Sequence, residues 1–542
     1  MRKFALVLLV LSVIVTASTC RRRNNADAVT VALPEKFTAL DTLTTTASDA
    51  SAERIRTLLF NSLVKKDENF DYVGELASAI TPSSDGLKIT FTLRDGVKFH
   101  NGKDLTSADV KYTFDQLFAS NGYKAGAFFD TVPDADAKPA AAPAANANSN
   151  AAKPAEVKTK RVPHLTSIEA PDAKTIVFGL SRPSLRTQFL ANLVAIPIIP
   201  EGTAAQQKDS PIGTGPFKFA SFDASQNVLE LAANDQYWET APKFPKLRIK
   251  TVTDANSLQA ELQTGGVDVA PNPSNLPPDM LRALGSSANL KIDQFEGSNI
   301  QYLLFNVTSA PLDKVKVRQA IGYAIDRDRI VKDLFGGQAT VANSILPSMS
   351  WAYTPGHEYK YDPGKAKQLL KEAGYNNESI NFKYGAGNAA MNQYAQVIQS
   401  SLADVGINAQ IETLEVNVIR QQLAQGGFQM YTGVWIGGNT DPIFFRDLFT
   451  TSRIPSSVVP CCNRGRYSKP EVDKAVEDAI NATDKTQAKQ LYAKVWDTVS
   501  NDLPLFPLWY PANIVISNKR IGNVKMSGSG DWGFLKDVTV GQ

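Results

Sequence analysis

Few residues of this chain have the types and spacing that catalysis or metal binding requires. Its three histidines, His100, His164 and His357, are scattered over different segments. A catalytic or metal-ligating histidine needs a nucleophile, an acid or further ligands beside it. The chain contains no Gly-x-Ser-x-Gly elbow, no His-Glu-x-x-His pair and no Walker loop. We therefore predict no catalytic residue, no metal site and no cofactor.

The cysteines add no metal-ligand set. Cys461 and Cys462 are adjacent, and neither a histidine nor a third cysteine lies near them, which disfavours a zinc site. Two interpretations stay open for this pair. It forms either two unreactive loop thiols or a vicinal disulfide in an oxidising compartment.

One glycine-rich stretch is similar to a dinucleotide-binding motif. Gly385, Gly387 and Ala390 lie between a predicted strand and a predicted helix, and Glu412 follows about 20 residues later. The third position holds alanine, and a tightly packed turn before a helix needs the same small residues. We interpret the stretch as a packing turn that could face a cleft.

The elements that must position any site alternate between strands and helices. Ile380–Tyr384, a helix over about 388–402 and a strand over 408–413 predict a βαβ unit. Asp254 predicts the start of another helix, which Gly265 ends. The pattern predicts an α/β protein throughout.

Composition excludes some classes of partner. The 542 residues include 57 basic and 54 acidic side chains, with a formal net charge of +3. No concentrated basic stripe occurs in the body of the chain, so we predict no nucleic-acid partner. A length of 542 residues with 43% hydrophobic residues predicts two or three domains.

The N-terminus has the pattern of an export signal. Arg2 and Lys3 precede an apolar run of about 12 residues, shorter than the roughly 20 that span a bilayer. Small residues followed by Cys20 predict a lipoprotein signal peptide over 1–19, lipidation of Cys20 and a tether over 20–27. Ordinary signal-peptidase cleavage, or no cleavage, stays an alternative, because Thr19 and the arginines at 21–23 depart from the lipoprotein pattern.

Residues 133–158 are rich in alanine, proline and asparagine and contain no aromatic residue. Such a segment buries too little apolar surface to offset the entropy that ordering costs. We predict a disordered loop there, inside a domain.

The stretch from Leu93 to Thr113 is the most informative part of the chain. A strand over Lys88–Leu93 leads through turns at Asp95-Gly96 and Asn101-Gly102 to a helix that Thr106 opens. Further motifs stand before and after this stretch in a fixed order: Leu58–Val64, Gly74–Ala77, Pro211–Phe217, Asn234–Trp238, Val317–Ile321, Ala324–Arg327 and Tyr361–Pro363. Together they resemble the family 5 extracellular solute-binding proteins, receptors of ABC importers for peptides, nickel and oligosaccharides.

The resemblance implies a periplasmic binding protein fold of type II, with two α/β lobes, a hinge and a subdomain inserted in lobe I. Lobe I would comprise 28–60, 191–298 and 509–542, the inserted subdomain 61–190, and lobe II 299–508. The crossovers would lie near 298–302 and 507–510. Closure over a ligand would follow a hinge motion.

The resemblance also implies a site. Val434–Pro442 is similar to the family's Trp-x-x-Asp-x-x-Asp-Pro loop, whose first aspartate pairs with a peptide's ammonium group in peptide binders. Gly438 occupies that place here, and Asp441 keeps the second acid. The predicted ligand-binding residues are Trp435, Asn439, Asp441, Phe128, Phe129, Trp509 and Tyr510.

We therefore expect a lipid-anchored, monomeric receptor on the periplasmic or extracellular face, which passes a small solute to ABC permease subunits. A peptide is the expected ligand, and an oligosaccharide is the alternative that Gly438 and the aromatic residues favour. Scarce histidine disfavours nickel. A secreted enzyme and a non-transport lipoprotein are weaker alternatives.

Overall fold

The computed structural model describes residues 28–46, 49–120, 122–133, 159–435, 441–456, 462–482 and 484–541. The predicted signal peptide, Cys20 and residues 134–158 of the loop predicted to be disordered lie outside these ranges. The described part is α/β, as predicted.

The strands are β1 (Ala28–Leu33), β2 (Val64–Lys66), β3 (Tyr72–Gly74), β4 (Ala77–Pro82), β5 (Lys88–Leu93), β6 (Phe129–Pro133), β7 (Thr159–Pro163), β8 (Leu165–Asp172), β9 (Thr175–Leu180), β10 (Phe217–Asp223), β11 (Val228–Ala233), β12 (Lys246–Thr251), β13 (Val269–Pro271), β14 (Leu290–Phe295), β15 (Ile300–Phe305), β16 (Ala339–Val341), β17 (Ser379–Gly385), β18 (Asn408–Leu414), β19 (Met430–Trp435), β20 (Leu505–Pro511), β21 (Asn513–Asn518), β22 (Ile521–Gly522) and β23 (Thr539–Val540).

The α-helices of six residues or more are α1 (Ala50–Leu59), α2 (Ser107–Ser120), α3 (Arg186–Leu193), α4 (Ala255–Thr264), α5 (Pro278–Gly285), α6 (Val315–Ala324), α7 (Pro363–Glu372), α8 (Ala389–Asp404), α9 (Val416–Gln425), α10 (Phe444–Phe449), α11 (Pro470–Asn481) and α12 (Lys485–Asp502).

Local sequence signals account for several of these boundaries. The Asp254 side chain accepts a hydrogen bond from the Ser257 N–H at 2.7 Å and begins α4. Gly265 ends that helix in the left-handed conformation. The predicted βαβ unit is confirmed, because β17 and β18 pair in parallel on either side of α8.

A first sheet of seven strands has the order β10-β11-β12-β1-β13-β21-β14. Its strand β1 is buried at five of its six residues, which a central strand covered on both faces requires. A separate antiparallel sheet of four strands, β4-β5-β9-β8, shares one large hydrophobic core with it. This second unit contains the strand that was predicted over Lys88–Leu93.

A six-stranded sheet has the order β16-β20-β15-β19-β17-β18 and forms a separate unit. Its strand β15 is buried along its whole length. Two hydrophobic clusters cover the two faces of this sheet, one containing Leu303 and Phe506 and the other Tyr302 and Leu505. Adjacent residues of β15 and of β20 therefore point to opposite faces of the sheet and pack in different hydrophobic clusters.

The chain passes between the seven-stranded and six-stranded sheets at two places. It leaves β14 at Phe295 and enters β15 at Ile300, and it returns from β20 to β21 across Ala512. The boundary predicted between residues 508 and 509 falls inside β20, because Trp509 and Tyr510 still pair with β16. The other boundaries of the predicted domain map stay predictions.

His100 ties the informative stretch to the Gly-Thr-Gly-Pro turn. Its Nε2 lies 3.0 Å from the Gly215 carbonyl oxygen, and its Nδ1 accepts the Gly213 N–H at 3.2 Å. The two bonds together assign the neutral tautomer that carries a proton on Nε2. Burial lowers the pKa of His100 to about 4, because the charged ring would lose its hydration.

This shift predicts an acid-sensitive contribution to stability. The unfolded chain protonates His100 below about pH 6.5, whereas the folded chain resists protonation until about pH 4. Neutral His100 therefore contributes fully to the free energy of unfolding above pH 6.5. This contribution, up to about 3 kcal/mol, is lost as the pH falls toward 4. We expect the stability difference between wild type and His100→Gln, measured by urea unfolding, to narrow from pH 7.5 to pH 4. A difference that stays constant over this range contradicts the assignment.

Two buried arginines hold the six-stranded unit together. Arg318 donates to the carbonyl oxygens of Leu312, Asp502 and Leu503. Arg327, which is 6% exposed, donates to backbone carbonyls from three separate segments, those of Ala342, Tyr359 and Pro507. Backbone oxygens thus satisfy these guanidinium groups where a carboxylate is usual.

Candidate functional site

A hydrogen bond joins the two halves of the molecule at Asp441. The Tyr72 hydroxyl, on hairpin β2–β3, donates to Asp441 Oδ2 at 2.8 Å. The hairpin packs on the core of the seven-stranded sheet through Val64, whereas Asp441 lies between β19 and α10 of the other unit. We use the term cleft for the region around Lys66, Tyr72, Trp435 and Asp441.

The start of α10 holds the Asp441 carboxylate in place. Asp441 Oδ1 accepts the Ile443 N–H at 2.9 Å, and the Asp441 carbonyl oxygen accepts the Phe444 N–H at 3.1 Å. The residue is 8% exposed. A carboxylate that is this far from water is costly unless donors surround it, which makes Asp441 a strong acceptor for a cationic or hydroxylic group.

Two further groups on the hairpin set the charge of the cleft. Burial and the Asp441 carboxylate raise the pKa of Tyr72, so this hydroxyl remains a neutral donor. Lys66 Nζ lies 5.4 Å from the centre of the Tyr72 ring. Burial lowers the pKa of Lys66, and the Asp441 carboxylate opposes that shift. The cleft therefore contains a partly buried cation beside a buried anion.

The tip of the hairpin is a structured turn. Asp67 Oδ1 accepts the backbone N–H groups of Asn69 and Asp71, both at 2.9 Å, and Phe70 adopts a positive φ of 61°. This turn directs Asp71 toward Lys485 of the other unit, at 2.9 Å. That ion pair is half exposed, so it contributes little to the free energy of folding. Its role is to orient the hairpin.

Aromatic residues form the wall next to Asp441. Trp435 ends β19, and its ring lies 4.6 Å from that of Phe444. Beside Trp435 lies a small recess, open to solvent, with room for about one water molecule. Its lining contains Tyr302, Trp435, Phe449, Cys462, Arg464 and Leu505. The recess is mainly apolar, with one guanidinium group.

Only some of the predicted site residues meet at this place. Trp435 and Asp441 do, while Asn439, together with Gly438, lies outside the described residues. Phe128 is 1% exposed and packs edge-on against Phe114 and Phe118. It faces the core in this conformation because the four-stranded sheet and α2 enclose it.

The other predicted aromatic residues lie in similar surroundings. Phe129 is partly buried, next to Phe118, and carries the Arg161 guanidinium 4.0 Å above its ring. Trp509 is 1% exposed between Tyr394 and Phe335. The Tyr510 hydroxyl donates to the Ser344 and Leu346 carbonyl oxygens, both at 2.6 Å. None of these contacts involves the cleft.

Sequence reasoning missed Lys66 and Tyr72. Charged and aromatic residues on both sides of the polar turn at 67–71 were a signal for the hairpin. No local sequence pattern could predict the hydrogen bond between Tyr72 and Asp441, because 369 positions separate the two residues.

The structure also bears on the cysteines, on metals and on membranes. Cys462 is disulfide-bonded, in agreement with the second interpretation, and Cys461 lies outside the described residues. Within the described ranges, no group of three or more His, Cys, Asp and Glu residues could hold a metal ion. No helix of that same part is long and apolar enough to cross a membrane.

Two sheet-centred α/β units, joined by two passages of the chain and in contact across a cleft, form the fold of the type II periplasmic binding proteins. A solved structure of the oligopeptide-binding protein AppA from Bacillus subtilis matches with a TM-score of 0.72 at 24% identity. The match covers 95% of this chain and 99% of that one. The fold class predicted from the sequence is therefore confirmed.

The family follows from the sequence comparison. Residues 71–457 match the model of the bacterial extracellular solute-binding proteins, family 5 (middle), and the chain belongs to this family. Heme-binding protein A of Haemophilus influenzae is 29% identical over 503 residues, covering 88% of this chain and 85% of the relative. The dipeptide-binding protein of Escherichia coli K12 is 29% identical over 476 residues, covering 82% of each. These relatives are named as binding proteins.

Proposed function

We propose that the chain captures a peptide between its two lobes, holds the peptide's ammonium group at Asp441, and delivers the peptide to the permease of an ABC importer. The observation that carries the proposal is the buried Asp441 carboxylate, which meets a donor from the opposite lobe at 2.8 Å. An ammonium group would form charge-assisted bonds with the same oxygens.

The loop sequence supports this assignment of the anchor. The acid that binds the ammonium group in similar peptide receptors is replaced here by Gly438. Asp441 is retained, and the hydrogen bond from the Ile443 N–H to Oδ1 holds its carboxylate in a fixed orientation. A preorganised carboxylate binds a cation without a further ordering cost. Asn439 and Trp435 belong to the same loop and remain part of the proposed site.

Closure of the two lobes would enclose the ligand. We place the hinge at 296–299 and at Ala512, where the chain passes between the two large sheets. Lobe I then comprises 28–60, 191–298 and the C-terminal segment from Ala512, with 61–190 as its inserted subdomain. Lobe II lies between the two hinge segments. Ligand would select the closed arrangement.

An oligosaccharide is the second candidate ligand. The wall formed by Trp435 and Phe444 favours it, because sugar rings stack on aromatic faces. Among the relatives, one is named for heme and another for dipeptides, so family membership alone leaves the ligand open.

We further propose that the receptor works as a monomer outside the cytoplasm, held to the membrane by a lipid on Cys20. The apolar run before Cys20 supports export, and residues 20–27 supply a tether. The chain would carry out no catalysis, because binding and release are sufficient for delivery to the permease.

Mass spectrometry of the small molecules that denaturation releases from the full-length, exported protein tests the ligand class. We expect peptides with free amino termini from the wild type and about tenfold less from Asp441→Asn. Asp404→Asn is the matched control, because it removes an exposed carboxylate of α8. Release of glycans contradicts the peptide proposal and supports the second candidate. Equal peptide yields from the wild type and both variants contradict the role of Asp441.

A further inference from the structure

Phe70, at the tip of hairpin β2–β3, has a backbone conformation that its side chain disfavours. Its φ of 61° lies in the left-handed region, which glycine enters freely and a bulky residue enters at a cost. The turn imposes this conformation, because the Phe70 N–H donates to the Asp67 carbonyl oxygen at 3.1 Å and the Asp67 side chain accepts the N–H groups on either side. The ring must therefore make contacts that offset the strain.

Those contacts lie outside the cores of the two units. Phe70 is 8% exposed, yet none of the hydrophobic clusters that the described residues form includes it. A Cβ atom placed on Gly528 would lie 3.0 Å from Phe70 Cζ and 2.9 Å from Met349 Sδ. The tip of the ring and the methionine sulfur therefore both reach the bare backbone of Gly528, where a larger residue would push them away.

Gly528 lies at the proposed hinge. Its carbonyl oxygen accepts the Ser298 N–H at 3.0 Å and the side-chain amide of Asn513 at 3.0 Å. Ser298 belongs to the passage from β14 to β15, and Asn513 directly follows Ala512 in the return passage. The Phe70 ring thus packs on a piece of backbone that is hydrogen-bonded to both passages of the chain.

Met349 belongs to the opposite unit. It lies between β16 and α7, in a segment whose Ile345 and Leu346 are buried in a cluster on the six-stranded sheet. Phe70 is carried by the hairpin that packs on the other core through Val64. A motion of the two lobes about the hinge would therefore separate Met349 from the ring and expose apolar surface to water.

We propose that Phe70 and Met349 form an apolar latch beside the hinge, which stabilises the closed arrangement of the lobes. Tyr72, two residues after Phe70 on the same hairpin, meets Asp441 across the cleft. The hairpin thus couples the latch to the proposed ligand anchor. The inference rests on the closure proposed above and is independent of the chemical class of the ligand.

Partial burial of an aromatic ring corresponds to about a tenfold change in the ratio of closed to open molecules. The latch alone is therefore weaker than a ligand that selects the closed form. It would lower the fraction of the binding free energy that closure consumes.

A dipolar distance measurement between two spin labels in the full-length protein, freed of bound ligand, tests the latch. The labels are attached to unnatural ketone side chains in place of Asp115 of α2 and Asp478 of α11, two exposed residues, one on each unit. We expect Phe70→Gly to lower the closed-to-open ratio about tenfold, since glycine keeps the turn without strain and lacks the ring. Phe222→Gly, which removes an exposed ring of β10, is the matched control and should keep the wild-type ratio.

Met349→Ala tests the latch from the opposite lobe. It should lower the ratio to a similar extent, and the variant that carries both changes should open no further than Phe70→Gly, because the two substitutions remove one contact. A ratio that stays unchanged in both single variants, effects that multiply in the double variant, or a wild type without a closed population overturns the latch.

This outcome is separate from that of the proposed ligand. The distance measurement uses no peptide, so loss of the latch leaves peptide capture standing. Release of glycans in the mass-spectrometric experiment would contradict peptide capture and leave the latch standing.

Discussion

Asp441→Asn is expected to weaken the binding of a peptide by about a hundredfold, because an amide replaces the buried charge that would hold the ligand's ammonium group. Wild type is expected to lose the same factor when the peptide is N-acetylated, whereas Asp441→Asn should bind the free and acetylated peptides alike. Isothermal titration of the four combinations measures this directly. Unchanged affinity in the variant would place the ammonium anchor elsewhere.

Tyr72→Phe provides the control for this experiment. The Tyr72 hydroxyl donates to the same oxygen, Asp441 Oδ2, that an ammonium group would use. Removal of the hydroxyl eliminates a competing donor and leaves the carboxylate charge in place. We therefore expect Tyr72→Phe to strengthen binding by about two- to fivefold. A loss in this variant comparable to that of Asp441→Asn would mean that the two residues bind the ligand jointly.

Arg327→Met is expected to destabilise the protein by about 3 kcal/mol, since three buried carbonyl oxygens would lose their donor. Burial lowers the pKa of Arg327 to about 10, well above the pH of the experiment, so the group is charged. Its guanidinium group also lies 4.7 Å from the centre of the Phe506 ring. The midpoint and slope of urea unfolding give the change.

Arg329→Met is the matched variant for the buried arginine. Arg329 lies two residues further on, its side chain is 78% exposed, and it pairs with Asp333 at 3.3 Å. Its loss is expected to change stability by no more than about 0.5 kcal/mol. If the two variants unfold at the same urea concentration, the bonds of Arg327 to the backbone contribute nothing measurable.

Strong local signals predicted much of the fold from the sequence. The strand over Lys88–Leu93, the capping of α4 by Asp254 and the βαβ unit depend on residues close together in the chain, and all three are present. The order of motifs predicted the fold class for a related reason, because each motif specifies a local turn or helix terminus. The link that His100 makes to the turn at Gly213 and Gly215 shows why two of these motifs occur together.

The candidate site was harder to predict than the elements that carry it. Trp509 lies where a cleft residue was expected, but its strand β20 has a neighbour on each side, and Tyr394 of α8 covers its ring. Burial of an aromatic residue depends on which elements pack above it, and adjacent positions of one sequence carry no such information. The hydrogen bond between Tyr72 and Asp441 likewise depends on tertiary packing, because it forms only when two units distant in the sequence come into contact.

The contacts between the two units include polar pairs that affect the balance between an open and a closed form. Asp71 with Lys485 and Gln188 with Arg446 are polar pairs. Such pairs contribute little to the balance between open and closed populations. A ligand that favours the closed form by about 3 kcal/mol changes the ratio of the two populations by more than a hundredfold. Under the closure proposed above, the shape that the permease meets would depend on whether ligand is bound, and a receptor without ligand would reopen before it docks.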